Sequence, residues 1–96
     1  MSEQKRGRRF HISGRVQGVG YRFFVFDAAQ RHGVRGYTRN LLDGRVEVYA
    51  VGTDAQLQAL LADLQRGPRL ALVEAVSESE AELLPQFAAR FSIERE

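Results

Sequence analysis

The sequence contains no cysteine, which excludes disulfides, thiolate catalysis and cysteine-ligated zinc and fits a reducing cytoplasm. It has no apolar run approaching the roughly 18 residues of a membrane span, and its N-terminal residues lack the apolar core of a signal peptide. The expectation is a soluble, cytoplasmic protein that makes no membrane contact. Excess charge is scarce too: the formal net charge is +2, with much of the positive excess in "KRGRR", Lys5 to Arg9. A basic arm of that kind binds nucleic acid in some proteins and is a solvated tail in others. What remains is a chain of 96 residues, 44% hydrophobic and 27% charged, an ordinary globular composition with enough length for one small core. Residues 1–7 read as a flexible basic arm and residues 8–96 as a single domain.

Hydrophobic periodicity divides that domain. "RRFHISG" alternates, with Phe10 and Ile12 on one face and His11 and Ser13 on the other, as a half-buried strand does. From Tyr21 the period becomes helical: Tyr21, Val25, Ala28 and His32 share a face, "FFVF" reads as core, and Gly33 stands where a helix end takes a left-handed residue. "RGYTRNL", "LDG" and "RVEVYAV" read as a hairpin turning at Asp43 and Gly44, with Val46, Val48 and Ala50 on one face. Thr53 and Gln56 suit a capping box for a second helix whose buried stripe is Leu57, Leu60, Leu61 and Leu64, stopped by Gly67 and Pro68. "LALVEAVSESEAE" then passes from apolar to alternating acidic residues, which suits an edge strand whose charges discourage pairing with other chains. A short strand at "FSIE" follows a loop containing Pro85.

This is an α+β chain of order βαββαβ. Right-handed crossovers leave room for one intervening strand in each βαβ unit, which gives a mostly antiparallel sheet of order 4-1-3-2, a ferredoxin-like sandwich with both helices on one face and a short C-terminal strand added. Strands 1 and 2 then run parallel on either side of strand 3. Their carboxyl ends emerge at the same sheet edge, so the loop at 14–21 and the residues near Asn40 are neighbours.

That loop is "GRVQGVGYR", Gly14 to Arg22, and it starts a helix with no Ser, Thr, Asp or Asn as a cap. Three glycines in seven residues let successive N–H groups turn toward one point, a nest that feeds positive partial charge to a helix N-terminus. Arg22 opposes the macrodipole, and no acid offsets it before Asp27. Rules of this kind are broken mainly where function requires it. Uncapped N–H groups, a dipole and a forked guanidinium describe a site for a phosphate-like anion, with Arg22 gripping two oxygens. The other reading is a tight turn and nothing more. The loop lacks the third glycine of a dinucleotide fingerprint, where Phe23 stands, and the Lys-Ser/Thr of a P-loop. Asn40 taken alone reads more readily as a turn former than as a catalyst.

"GRVQGVGYR" followed by "GYTRNLLDGRVEVYAVG" resembles the paired signature of the acylphosphatases, and the likeness runs on through "GPRLALVEAV" to "FSI". It covers the chain beyond the N-terminal arm. The resemblance implies hydrolysis of acyl phosphates, which are carboxyl-phosphate mixed anhydrides, to a carboxylate and inorganic phosphate by in-line attack of water, with no metal and no cofactor. It implies Arg22 as the phosphate-binding arginine, Asn40 as the water-positioning asparagine, and Arg15, Val16, Gln17, Gly18, Val19, Gly20, Tyr21 and Arg22 as the phosphate-binding loop. The partners expected are a small acyl phosphate and, as product or inhibitor, phosphate; the protein is expected to be a monomer. Two positions depart from the family pattern. Tyr21 stands where Phe or a similar residue is usual and brings a hydroxyl near the loop, and Thr38 stands where a small apolar residue is usual.

Other functions are weaker fits. His11 on a strand, His32 at a helix end and the spread acids of "SESEAE" do not converge on a cation. The non-catalytic alternatives are an anion-sensing domain and a ferredoxin-like RNA-binding module. The RNA module would use "KRGRR" and the open sheet face, but base stacking needs aromatics on strand 3, where only Tyr49 occurs. Nucleic acid is therefore not an expected partner.

Overall fold

The computed structural model describes residues 4–95. Five strands and two helices follow the expected order: β1 (Arg6–Arg15), α1 (Tyr21–His32), β2 (Arg35–Asn40), β3 (Val46–Gly52), α2 (Asp54–Arg66), β4 (Leu72–Ala81) and β5 (Phe91–Glu94), with a single 3₁₀ turn, Pro85–Phe87, before β5. The sheet order is β4-β1-β3-β2-β5. β3 pairs antiparallel with β1 and β2, and β5 pairs parallel with β2. This is the ferredoxin-like sandwich expected from the crossovers, with β4 on one edge and β5 on the other.

The core lies between the sheet and the helices. Phe10 and Ile12 from β1, Val46, Val48 and Ala50 from β3, Val25 and Ala28 from α1, and Leu57, Leu60 and Leu64 from α2 are buried together. Leu61, at the edge of the helical stripe, packs against this cluster and is partly buried. The acids Glu74, Glu78 and Glu80 are exposed on the edge strand β4. Both helix ends form as the sequence indicates: Thr53 and Gln56 make a reciprocal capping box, and Gly33 closes α1 in the left-handed conformation.

Three expectations need correction. The N-terminal arm is shorter than seven residues, because Arg6 and Gly7 are already in β1, paired with Gly52 and Val51 of β3; residues 1–3 of the arm lie outside the described residues. The cause is β3, which continues to Gly52 and offers ladder partners that the alternation of β1 did not reveal. "FFVF" is not uniformly core: Val25 is buried, Phe24 and Phe26 pack against the core, but Phe23 is 68% exposed. At about 100° per residue, Phe23 lies roughly 200° round from Tyr21, on the opposite side of the helix. The outer sheet face is not open at its centre either. Tyr37 and Tyr49 stack with centroids 5.6 Å apart, and Phe87 from the 3₁₀ turn sits 4.7 Å from Tyr37. The Tyr49 hydroxyl donates to the Glu82 carbonyl (2.6 Å) and accepts from the Leu84 N–H (2.8 Å). The strand-3 aromatic of an RNA platform is therefore fully buried.

Polar contacts tie the helices to each other. His32 Nε2 lies 2.7 Å from Asp63 Oδ2, and Arg66 donates to Asp63 Oδ1 at 2.9 Å. Burial works against ionisation of Asp63, yet these bonds hold its carboxyl below the ordinary carboxylate range. Tyr21 supplies the second tie. Its hydroxyl points away from the glycine loop and donates to the Leu64 carbonyl at 2.7 Å. Burial pushes that hydroxyl's pKa well above its usual value, so it remains a donor. The family departure at Tyr21 thus serves packing. Thr38, the other departure, is fully buried and donates to the Glu47 carbonyl at 3.0 Å, satisfying its own hydroxyl within the sheet. Replacing Tyr21 by Phe should destabilise the fold by about 1 kcal/mol, because a buried carbonyl loses its donor. Urea titration of both proteins measures this, and equal midpoints would remove the bond from the stability balance.

Candidate active site

The site is built at the edge where β1 and β2 both end. Val46, the first residue of β3, pairs with Ile12 of β1 on one side and with Asn40 of β2 on the other. At the usual strand spacing, Asn40 and the end of β1 are about 10 Å apart. Between Ser13 and Gly14 the β1–β4 register shifts, Gly14 and Arg15 still pair with Val73 and Leu72, and the loop begins after them.

The loop then takes the shape of an anion nest. Gly18 and Gly20 have φ of 76° and 80°, and a side chain at either would meet no neighbouring atom within 4 Å. Glycine is required here for its backbone angle and not for space. Gly20 is the N-cap of α1 and makes no side-chain cap, and the first turn contains no acid. The first bond at this end of the helix runs from the Phe24 N–H to the Gly20 carbonyl (3.1 Å). The N–H groups of Tyr21, Arg22 and Phe23 precede it as orphan donors. Arg22 forms no ion pair among the described residues.

Facing this nest is Asn40. Val16, Gly18, Gly20, Tyr21, Arg22, Phe23 and Asn40 together line a pocket of about 210 Å³. Asn40 Oδ1 is buried and has no hydrogen-bond partner among the described residues. A buried amide oxygen without a donor costs free energy, so its retention at a pocket wall points to a ligand or water. The hairpin turn, meanwhile, is stabilised by another residue. Asp43 accepts from the Arg45 N–H at 3.1 Å and pairs with the Arg45 guanidinium at 2.9 Å, which leaves the turn-forming role of Asn40 without a contact to carry it.

The other loop residues have different placements. Val16 is buried in the core and Val19 packs against it. Arg15 is exposed at the end of β1, opposite Leu72. Gln17 turns toward the hairpin, where its amide donates to the Leu41 carbonyl (2.8 Å) and to the Arg45 carbonyl (2.9 Å). It thereby fastens the nest to the turn that carries Asn40. The sequence places Gln17 in the loop without revealing this role, since one glutamine carries no periodic signal. Phe23, within an apolar run that reads as core, is solvent-facing, as its helical spacing from Tyr21 requires. Among the described residues, no three His, Asp or Glu side chains gather where they could hold a metal ion.

Fold and pocket together define a class: small α+β domains with a glycine-rich, uncapped helix N-terminus beside the carboxyl ends of two parallel strands. The acylphosphatase family model matches residues 8–93. Similar proteins include an acylphosphatase of Solibacter usitatus, 55% identical over 74 residues that make up 77% of each chain. Among solved structures, the acylphosphatase of Bacillus subtilis superposes with a TM-score of 0.86 at 36% identity, over 94% of this chain and 98% of that one. The acylphosphatase of Coxiella burnetii superposes with a TM-score of 0.88 at 29% identity, over 94% of this chain and 93% of its own. The chain belongs to the acylphosphatase family.

The Gln17 contacts generate a test. Gln17→Ala should cost about 1–2 kcal/mol of stability through two lost bonds. It should also lower kcat by about tenfold or more, because nest and amide are no longer held at fixed separation. Thermal melts and steady-state kinetics on one preparation measure both, and unchanged kcat in the folded variant would leave Gln17 with a purely structural part.

Proposed function

We propose that the Arg22–Asn40 pocket is where this chain carries out the reaction of its family, hydrolysis of acyl phosphates to a carboxylate and inorganic phosphate. The observation that carries the reading is the buried, unpartnered Asn40 Oδ1 in one pocket with the uncapped, unpaired Arg22. The nest donors and the α1 dipole receive the phosphoryl oxygens, and the Arg22 guanidinium binds two of them in its fork. Phosphoryl transfer depends chiefly on positioning and on stabilising charge spread over the equatorial oxygens, and these groups supply that stabilisation.

Asn40 supplies the nucleophile's position. Its amide oxygen accepts an O–H of the attacking water and turns the water lone pair toward phosphorus. A phosphate oxygen of the substrate takes the water proton, and the P–O bond to the acyl group breaks in line. The leaving carboxylate has a pKa of about 4 and needs no general acid. No metal or cofactor has a part in this sequence. Every residue lining the pocket comes from one chain, which supports an enzyme that works as a monomer.

The first test is phosphate release from acetyl phosphate by the purified protein in the presence of a strong chelator. Undiminished turnover is expected, with inorganic phosphate as a competitive inhibitor, and a requirement for added Mg²⁺ or Zn²⁺ would falsify the metal-free mechanism. Asn40→Ala separates chemistry from binding. Its kcat and kcat/KM should fall together by at least about a hundredfold, while the inhibition constant for phosphate stays within about twofold. A variant that loses only melting temperature and keeps its turnover would return Asn40 to the hairpin.

A further inference from the structure

Phe23 is the pocket residue that neither the core nor the phosphoryl chemistry uses. It follows Arg22 directly, lines the same pocket, and is 68% exposed. The neighbouring aromatics of the run are engaged: Phe24 lies 6.0 Å from the Tyr21 ring and Phe26 lies 6.4 Å from Phe91. Phe23 makes no such ring contact among the described residues. It also occupies the third position of α1, where an acid would satisfy the helix end. A large apolar side chain here gives up both a cap and a soluble surface.

Geometry limits what the ring can meet. With the phosphoryl group held in the nest, the acyl group of the substrate has to leave the pocket past its lining. Val16 and Tyr21 are buried, with the Tyr21 hydroxyl turned to the Leu64 carbonyl; Gly18, Gly20 and Asn40 offer small or polar surface, and Arg22 is committed to phosphate oxygens. Among the residues lining that pocket, Phe23 is the large apolar side chain that is exposed. On the reading that the pocket binds acyl phosphates, we propose that Phe23 is a specificity-determining residue whose ring packs against the acyl group, favouring aromatic or branched acyl phosphates over acetyl phosphate. An acyl group stacked on this ring gains affinity in the ground and transition states alike, so the preference resides mainly in KM.

The test compares benzoyl phosphate with acetyl phosphate on the wild-type protein and on Phe23→Ala, Phe23→Tyr and Leu83→Ala, with inorganic phosphate as inhibitor. Leu83 is an exposed apolar residue beside Lys5 and Val51, at the opposite end of the sheet. Phe23→Ala should lower kcat/KM for benzoyl phosphate about tenfold more than for acetyl phosphate, chiefly through KM. The phosphate inhibition constant should move less than about twofold. Phe23→Tyr should restore the preference, and Leu83→Ala should leave it intact. Equal losses on both substrates, or none on either, would overturn the assignment while leaving acyl phosphate hydrolysis standing. A wild-type protein that turns over neither substrate would overturn the reading of the pocket and this inference with it.

Discussion

Val46 pairs with Ile12 on one side and with Asn40 on the other, and that shared rung is the constraint under which the site exists. Because β3 runs against both neighbours, β1 and β2 deliver their carboxyl ends to the same edge, one continuing into the nest and the other ending on the amide. Neither strand could be reversed without sending one half of the site to the far end of the sheet. The rung fixes position across the sheet but says nothing about the height of the loop above it. Gln17 supplies that dimension through its two bonds to the turn carbonyls. The hydrogen-bonded strands and the two donors of one amide therefore set the separation between the nest and Asn40.

The loop itself is destabilising by local rules. A helix start without a cap and a cation where the dipole favours an anion both raise the energy of the unliganded protein, while glycine at 18 and 20 lets the loop take left-handed backbone without strain. Elsewhere the chain obeys the same rules closely, as the capping box on α2 and the left-handed Gly33 after α1 demonstrate. On the proposed reading, a doubly charged phosphoryl group satisfies the orphan N–H groups, the dipole and the guanidinium at once.

Much of this was legible in the sequence because it rests on short-range periodicity. Alternation located the strands, 3.6-residue spacing located the helices, and crossover handedness placed the loop beside Asn40. The parts that were not legible depend on contacts between distant residues. Nothing local says that Tyr21 reaches Leu64, that Gln17 reaches Leu41 and Arg45, or that the segment carrying Phe87 folds over Tyr37 and Tyr49. The start of β1 escaped for a related reason, since a strand ends where its partner runs out, and the partner here is β3. Phe23 is different. Its exposure follows from helical spacing, and a run of four apolar residues concealed it only because hydrophobicity was taken ahead of phase.

The sparseness of the proposed site matches the bond that acyl phosphate hydrolysis breaks. An alkoxide leaving group would need a protonated side chain within reach of the bridging oxygen, and an amide or guanidinium cannot supply that proton at neutral pH. A carboxylate leaving group makes the proton unnecessary, so one cation, a set of backbone donors and one amide suffice. The same argument explains why the pocket tolerates so little titratable chemistry: a carboxylate near Arg22 would compete with the phosphoryl oxygens for its fork and would repel the substrate. The buried acids in this structure, Glu47 and Asp63, are both kept away from the nest. Glu47 is held on the outer sheet face by Arg39 (2.7 Å) and Arg9 (3.2 Å), and Asp63 of α2 is held by Arg66 and by His32 at the C-terminal end of α1. Among the described residues no acid pairs with Arg22 at the nest, so the attraction proposed for a phosphoryl group follows from where the acids have been placed as much as from the arginine itself.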